Sequence, residues 1–332
     1  MPTIRDVARY AKVSVATVSR YLNKSPLISE ASAQRVKEAI EALDYQPNML
    51  ARGLLHGNTK TIALAIDDTN VETYGNDYFL KIQYGIEHEL ARNGYYLIIC
   101  HIGNGDISLL ESIIKEKRID GVILLKELAQ PAVIELLEKA GIPFVLTGQS
   151  KSPSDSWVDI DNVEAGYRAT KYLISRGNIK IGFLTNSFDK VFNMERFEGY
   201  KAALSEAGGM FNTGYIKDGM DTASDVESYV TEKRSQVCDA YIASDSRIAF
   251  YLSRYLAREG IKVPDTVQIV GFDDSILAEI SEPAMTVIQI DVMNLGATTA
   301  RALIQQIQHP SSKPIQILLP INLIERGSTM SR

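Results

Sequence analysis

The part of the sequence that most restricts the fold begins at residue 61, where short apolar runs alternate with longer amphipathic segments. Parallel strands need a crossover of about a dozen or more residues between them, usually a helix. Regular alternation therefore predicts parallel sheets covered by helices on both faces. The predicted strands are 62–66, 95–100, 121–125, 144–147, 181–184, 214–216, 240–243 and 267–270. The predicted helices are 77–93, 107–117, 131–140, 163–176, 194–207, 222–233 and 246–259. These units form two series, which indicates two similar α/β lobes.

The first 45 residues have another pattern, that of three short helices. Thr3 and Asp6 have the spacing of a capping box, and Ser14 and Ser29 stand where further N-caps are expected. The predicted helices cover 4–10, 15 to about 23, and a stretch that starts after Ser29. The apolar stripe that would join them consists of Val7, Ala8, Val13, Val18 and Leu22. Two short helices across a tight turn, braced by a third, are typical of a helix-turn-helix unit, whose second helix lies in the major groove of DNA.

The charge of the chain is unevenly divided. The 332 residues carry a formal net charge of −6, but residues 1–60 contain nine Lys and Arg against five acids, which leaves −10 for the rest. A basic end on an acidic body suits a protein that meets phosphate groups with that end only. The alternative is a chance excess of basic residues on a solvated surface.

Several classes of protein find no support in the residues. Cys100 and Cys238 lie in or beside apolar runs, which indicates buried thiols, and the four histidines are scattered without metal-binding spacing. Gly103-Asn104-Gly105 lacks the third glycine of a phosphate loop because Ser108 stands there. We therefore expect neither an enzyme nor a cofactor or metal. With no signal peptide and no apolar run near ~18 residues, we also expect a cytoplasmic protein without a membrane segment.

Three stretches of the N-terminal part resemble the lactose/galactose-repressor (LacI/GalR) family. They are Thr3-Ile4-Arg5-Asp6-Val7-Ala8, Val13-Ser14-Val15-Ala16-Thr17-Val18-Ser19-Arg20 and Tyr45-Gln46-Pro47-Asn48. The start of the second helix is especially similar to that of galactose repressors. The resemblance continues at Gly141-Ile142-Pro143, Asp161-Asn162, 196–199 with Tyr200, Gly271-Phe272-Asp273-Asp274 and Leu323-Ile324-Glu325-Arg326-Gly327-Ser328. It implies a DNA-binding transcriptional regulator.

The resemblance also implies a body folded like the periplasmic sugar-binding proteins, with two lobes joined by three crossing strands. We expect the crossings near 159–162, 289–292 and 320–323. The implied domains are a helix-turn-helix head over 1–47, a hinge helix over 48–58, a first lobe over 59–161 and 292–321, and a second lobe over 162–291 and 322–332. The chain ends four residues after Ser328, without the heptads that make some relatives tetramers, so we expect a homodimer.

The second helix and the hinge carry the implied contacts with a pseudo-palindromic, double-stranded DNA operator. Arg20 is placed to bind guanine O6 and N7, with a phosphate contact as the alternative, while Val15 and Ala16 suit thymine methyl groups. Ser14, Thr17 and Ser19 suit phosphates. The implied DNA-binding residues are Thr3, Ser14, Val15, Ala16, Thr17, Ser19, Arg20, Asn23, Asn48, Ala51 and Leu54.

Two positions in this region have physical consequences. Lys12 stands where the family usually has glycine or asparagine, and a positive φ there would cost ~1 kcal/mol.

The segment 48–54 is shorter than the ~12–15 residues of a marginal isolated helix, so we expect it to fold on DNA. In the family a leucine, here Leu54, then wedges between base pairs in the minor groove. The alternative is that Leu54 and Leu55 only seal a domain junction.

Between two such lobes, a ligand is expected at the carboxyl ends of the strands. Arg196 and Asp273 match family ligand positions and could bind adjacent sugar hydroxyls, with a structural salt bridge as the alternative. Tyr78 and Phe79 match an aromatic pair that flanks the ligand, although helix packing also explains Phe79. The implied effector-binding residues are Tyr78, Phe79, Asp161, Lys190, Phe192, Arg196, Met220, Ser244 and Asp273.

Three departures from the family bear on the effector. Gly148 stands where several relatives have an acid, Met220 replaces an aromatic residue, and Ile290 stands where some sugar repressors have glutamine. We expect a mono- or disaccharide that controls a repressor of sugar-utilisation genes, and we disfavour a purine. The alternatives are a carbon-control regulator that binds a partner protein, and a solute-binding protein of a transporter, which would leave the head unused.

Overall fold

The computed structural model of the protein describes residues 2–22, 25–45, 58–67, 77–103, 105–208 and 212–330. It divides into two compact units. One consists of Met1–Lys60 with Lys117–Ile119, and the other of Thr61–Glu116 with Asp120–Arg332. We call them the head and the body. Among the described helices, none combines the length and the apolar character needed to span a membrane.

The head contains the three predicted helices, α1 (Ile4–Tyr10), α2 (Val15–Leu22) and α3 (Glu30–Ala42). The predicted caps are confirmed. The Asp6 carboxylate accepts hydrogen bonds from the Thr3 N–H at 2.9 Å and the Thr3 hydroxyl at 2.7 Å, and the Ser14 hydroxyl accepts from the Thr17 N–H at 3.1 Å. The buried core of the head consists of Val7, Ala8, Ala11, Val18, Val36 and Ala39. Packing of this small core fixes α2 with its opposite face toward solvent.

Lys12 adopts the left-handed backbone conformation that the sequence suggested, with φ 53° in the turn between α1 and α2. Its N–H donates to the Arg9 carbonyl at 3.3 Å, and the Val13 N–H donates to the Ala8 carbonyl at 3.0 Å. The turn therefore satisfies the last carbonyls of α1. The left-handed backbone conformation of Lys12 costs ~1 kcal/mol.

The body contains twelve strands and nine α-helices among the described residues. The strands are β1 (Thr61–Ile66), β2 (Tyr96–His101), β3 (Gly121–Leu125), β4 (Phe144–Thr147), β5 (Trp157–Ile160), β6 (Ile181–Leu184), β7 (Ile216–Lys217), β8 (Ala240–Ala243), β9 (Gln268–Phe272), β10 (Thr286–Ile290), β11 (Gln316–Leu319) and β12 (Ile321–Ile324). The helices are α4 (Asp77–Arg92), α5 (Ser108–Lys115), α6 (Pro131–Ala140), α7 (Asn162–Ser175), α8 (Val191–Glu206), α9 (Ala223–Lys233), α10 (Ser246–Arg258), α11 (Ile276–Ile280) and α12 (Val292–Gln308).

These elements form two six-stranded sheets, as the alternation predicts. The first sheet has the order β11-β5-β4-β3-β1-β2 and is entirely parallel. The second has the order β12-β10-β9-β8-β6-β7 and is parallel except that β12 runs antiparallel to β10. We call the first sheet with α4, α5, α6 and α12 the first lobe, and the second sheet with α7 to α11 the second lobe.

The chain passes between the sheets three times, at the places expected. It crosses at Asp161 between β5 and α7, at Asp291 between β10 and α12, and at Pro320 between β11 and β12. Both aspartates also cap the helix that follows, since each carboxylate accepts a backbone N–H three residues later, at 2.9 Å and 3.0 Å.

One predicted strand differs from the structure. The residues predicted as a strand over 214–216 mostly belong to a 3-10 helix, Thr213–Tyr215, and the strand β7 starts only at Ile216. The Asn212 side chain accepts the Gly214 N–H at 2.8 Å. This local side-chain bond competes with the strand ladder.

Two glycines let α7 and α8 pack closely in the second lobe. A Cβ atom on Gly166 would come within 1.9 Å of the Arg196 carbonyl oxygen, and one on Gly199 within 1.9 Å of the Val163 carbonyl oxygen. Because backbone atoms occupy that space, any larger residue must push the helices apart. The backbone of Arg196 therefore depends on Gly166.

We expect Gly166→Ala to lower the free energy of unfolding by about 1–3 kcal/mol or more, because overpacking against backbone displaces α8. Gly94→Ala is the control, since Gly94 has φ 72° and open space around it, so only backbone strain of ~1 kcal/mol is added. Urea unfolding of both variants measures the difference. Equal losses would show that the close approach of the helices contributes nothing.

Candidate functional site

The solvent face of α2 presents the residues that the sequence assigned to DNA. Val15 is 42% exposed, an unusual position for a valine, and Ala16 and Arg20 are exposed as well. No ion pair or hydrogen bond joins the Arg20 side chain to another described residue. The exposed guanidinium of Arg20 and two small apolar side chains on one helix face can contact base edges in a major groove.

The other residues predicted to bind DNA are in different situations. Ser14 is exposed, and its hydroxyl lies 2.9 Å from the Thr17 hydroxyl, while Ser19 is half-buried on the same helix. The Thr3 hydroxyl is engaged with Asp6 in the cap of α1. Four further residues, Asn23, Asn48, Ala51 and Leu54, and with them most of the hinge segment, lie outside the described residues.

A cavity of about 290 Å³ opens between the two lobes of the body. Polar residues that follow the carboxyl ends of strands in both sheets line it, as the topology of parallel sheets requires. From the first lobe these are Asp67, Glu127 and Gln149, and from the second lobe Asn186, Asp245 and Asp273. Aromatic side chains of Tyr78, Phe79 and Phe192 supply an apolar part of the lining.

Arg196 is the buried cation of the cavity, held in the second turn of α8. Its Nε donates to Asn162 Oδ1 at 3.1 Å and its Nη1 to the Ser244 carbonyl at 2.8 Å. The guanidinium lies 4.1 Å from the centroid of the Phe272 ring and 5.1 Å from that of Phe192. Burial lowers its pKa, and the nearby carboxylate of Asp273 acts in the opposite direction. Neutral acceptors and ring faces thus fix the group without neutralising it.

Asp273 directly follows β9 and adopts φ 67°, a strained conformation for an aspartate. Its Oδ1 atom is buried, and so is the Ser244 Oγ, and neither makes a hydrogen bond with any described residue. Burial raises the pKa of Asp273 to about 6, although Arg196 opposes the shift. Buried polar atoms without partners are costly, and they are typical of places where a ligand supplies the missing bond.

A second carboxylate of the cavity, the half-buried Asp159, was missed by the sequence analysis. Its Oδ2 accepts the Gln149 N–H at 3.0 Å and its Oδ1 the Ile160 N–H at 2.7 Å, and burial raises its pKa to about 6. Burial also raises the pKa of Glu195, which lines the same cavity as Glu127. An acidic residue inside the apolar strand Trp157–Ile160 was the available signal.

Seven of the nine residues predicted to bind an effector line this cavity, namely Tyr78, Phe79, Lys190, Phe192, Arg196, Ser244 and Asp273. Two of the described residues lie outside its lining. Asp161 accepts the Glu164 N–H and serves as the cap of α7. Met220 is buried in the apolar core of the second lobe beside residues such as Val226. Their side chains are thus occupied by a helix cap and by core packing. Gly148 and Ile290, the other two departures from the family, do line the cavity.

The cysteines and the possible metal ligands of the described residues offer no reactive or metal-binding site. Cys100 and Cys238 are buried free thiols, and burial raises the pKa of each to about 11. Across the described ranges, no three His, Cys, Asp or Glu side chains come together as a metal site would require. Burial, with the carboxylates of Asp159 and Asp273, raises the pKa of the Tyr78 hydroxyl, so it remains a hydrogen-bond donor.

The buried charge of Asp273 should lower stability near neutral pH. Because its pKa in the folded protein is about 6, against ~3.9 when unfolded, wild-type stability falls as pH rises from about 4 to above 6. We expect Asp273→Asn to be more stable than the wild type at pH 7.5 by about 1–2 kcal/mol, with a smaller difference at pH 5. Thermal unfolding at both pH values, with exposed Asp265→Asn as the control, measures this. A difference that grows toward low pH would contradict it.

Both parts of the chain are similar to known protein families. Residues 3–48 match the family described as bacterial regulatory proteins, lacI family, and residues 170–329 match the periplasmic binding protein-like domain. The chain is 31% identical to the HTH-type transcriptional regulator CelR of Thermobifida fusca, with 98% of each chain covered. It is also 31% identical to the HTH-type transcriptional repressor PurR of Vibrio atlanticus (strain LGP32), with 99% of this chain and 98% of that protein covered.

A solved structure supports the same relationship. The complex of the transcriptional regulator CelR with cellobiose matches with a TM-score of 0.75 and 30% identity, over 99% of this chain and 100% of that one. Head, body and their order along the chain are therefore shared with relatives over nearly the full length. This chain belongs to the lacI family of bacterial regulatory proteins, a family of DNA-binding transcriptional regulators rather than enzymes.

Proposed function

We propose that this protein is a sequence-specific transcriptional repressor of sugar-utilisation genes, controlled by a small sugar that binds between the two lobes. The observation that carries the proposal is the interlobe cavity, in which Asp273 Oδ1 and Ser244 Oγ are buried without hydrogen-bond partners among the described residues. Hydroxyl groups of a sugar can donate to a carboxylate and exchange hydrogen bonds with a serine. The CelR relative, solved with cellobiose, supports this class of ligand.

The lining of the cavity fits a neutral, hydroxylated ligand in several respects. Its volume, about 290 Å³, is close to the lower limit of the roughly 300–1,000 Å³ of small-molecule sites. Phe192 offers an aromatic face beside the guanidinium of Arg196. Acidic groups such as Glu127 and Asp159 disfavour an anion. A mono- or disaccharide satisfies these conditions together.

On the DNA side, the proposal rests on the free surface of α2. Arg20 would bind guanine in the major groove, with Val15 and Ala16 against thymine methyl groups. A homodimer would present two such helices to a pseudo-palindromic operator in the cytoplasm. The hinge over 48–58 would then form helices on the minor groove, with Leu54 as the wedge. Ligand-dependent closure of the lobes would change the spacing of the two hinges and release the operator.

A purine effector is the second candidate, because one relative of equal identity is named PurR. The aromatic residues Tyr78, Phe79 and Phe192 could stack on a purine ring as well as on a sugar. The two candidate ligands differ in the hydrogen bonds that they require from the polar residues of the lining. A sugar needs hydrogen-bond partners for the several hydroxyl groups around its ring. Asp273 Oδ1 and Ser244 Oγ, which lack partners among the described residues, can supply such hydrogen bonds.

We expect a sugar to raise the melting temperature of the purified protein in a panel of sugars, sugar phosphates and purines. At a hundred times its dissociation constant a ligand stabilises by ~2.7 kcal/mol. The same sugar should reduce operator binding, and Asp273→Ala should lose both responses while it binds operator normally. Asp265→Ala, an exposed aspartate of the same lobe, is the control. A shift with purines alone would replace the sugar by a purine.

We expect Arg20→Ala to lose base preference at one symmetric operator position, at a cost of ~1–3 kcal/mol. Binding to non-specific DNA should change little, because phosphate contacts supply it. Lys37→Ala, which removes an exposed positive charge from α3, is the matched control. Competition binding with operators altered one base pair at a time makes the measurement. Equal losses on all sequences would identify Arg20 as a phosphate contact.

A further inference from the structure

A lysine of the first lobe reaches across to the second lobe beside the cavity. Lys81 lies in the second turn of α4, and its Nζ donates to the backbone carbonyl of Asp274 at 3.1 Å. The same Nζ lies 2.6 Å from Asp77 Oδ2, one turn earlier on the helix. This ion pair within α4 holds the flexible lysine side chain in the direction of Asp274, so part of the entropy of ordering it is already lost.

The acceptor is fixed firmly to the second lobe. The Asp274 carboxylate lies 2.7 Å from Arg326 Nη1 and accepts a hydrogen bond from Gln289 Nε2 at 3.2 Å. Gln289 belongs to β10, and Arg326 follows β12 and also donates to the Met285 carbonyl at 3.2 Å. The Asp274 carbonyl is therefore a fixed point of the second sheet and moves with that sheet.

Asp274 shares its loop with the cavity. The preceding residue is Asp273, whose unpartnered Oδ1 lies in the cavity lining. The following residue, Ser275, caps α11 and donates to the Ser246 hydroxyl at 2.7 Å. Three consecutive residues thus carry a cavity group, the contact with Lys81 and an anchor to α10. Each of the three is joined to its neighbour by one peptide unit, so a shift of the loop moves all three together.

We propose that Lys81 is a positioning residue that holds the first lobe against the loop 273–275 of the second lobe and sets how far the cavity closes. Among the described residues, the covalent links between the two lobes are the crossings at Asp161, Asp291 and Pro320. Rotation about these crossings is a hinge motion. A charge-assisted hydrogen bond between the lobes opposes it.

The consequence for control rests on the function proposed above. A ligand that binds Asp273 holds the loop from inside the cavity, and Lys81 holds the same loop from α4. Closure by the ligand then strengthens the Lys81 contact, and a closed Lys81 contact orders the loop for the ligand. The two contributions are reciprocal, as thermodynamic linkage requires.

The test uses the full-length protein without any effector. We expect Lys81→Met to speed backbone hydrogen exchange about fivefold in peptides that cover 273–280, because loss of one hydrogen bond makes opening easier. Peptides from α3 and β8 should not change. Lys81→Arg, which retains a charged donor, should restore most of the protection. Asp77→Asn, which leaves Lys81 in place but removes its partner on α4, should give a smaller increase.

Lys139→Met is the matched control. Lys139 forms the same kind of ion pair, at 2.6 Å with Glu135 one turn earlier on α6, and is an exposed residue of the first lobe. Its loss should leave exchange over 273–280 unchanged. Equal exchange in Lys81→Met and the wild type would overturn the proposal, and so would an increase spread evenly over the chain. Because no effector is present, failure here is separate from failure of the sugar proposal.

Discussion

The direction of the parallel strands is the constraint on which the rest of the body depends. In such a sheet each strand ends at the same edge, where the chain leaves the core and polar side chains carry no packing penalty. Glu127 and Gln149 reach the cavity in this way from the first sheet, and Asp245 and Asp273 from the second. Residues far apart in the sequence therefore meet in one place without any direct interaction that selects them. The chemistry of the cavity follows from topology before it follows from side-chain contacts.

The charges in this cavity are held at a cost to stability. Arg196 is buried among an amide oxygen, a backbone carbonyl and two aromatic rings, none of which carries a negative charge. Asp273 is close enough for its charge to matter, but its buried oxygen has no hydrogen-bond donor among the described residues. Desolvation that is not fully compensated in the free protein is recovered when a ligand supplies the partners. A site of this kind exchanges stability for affinity.

The sequence predicts the layers and most of the element boundaries because hydrophobic periodicity and caps are local. Ser14 and Ser29 cap the helices that they were expected to cap. The Asn212 side chain competes with strand partners for a backbone N–H. Periodicity alone predicts a strand there, but the structure has a 3-10 helix. Such competition is visible only when the donor and acceptor are known.

The cavity was predicted less completely than the fold. Asp159 was missed because an acidic residue inside an apolar strand signals an unusual position but does not show whether its side chain lies at a cavity. Met220 was assigned to the ligand by resemblance, but it packs in the core beside α9, because a methionine there fills apolar space. Family positions predict the lining of the cavity where topology fixes the side chain, as for Arg196, and less well where a neighbouring loop decides between core and cavity.

The proposed control by lobe movement would require only a small free energy, and the crossings explain why. Asp161 and Asp291 bond to the first turns of α7 and α12, so each hinge position is tied to one lobe and rotation breaks neither bond. The opposing resistance then comes from contacts between the lobes. A coupling of ~1–3 kcal/mol is typical of allosteric control, and one part-buried hydrogen bond contributes ~0.5–1.5 kcal/mol. A single contact such as that of Lys81 with Asp274 is therefore of the right magnitude to bias the equilibrium between open and closed lobes.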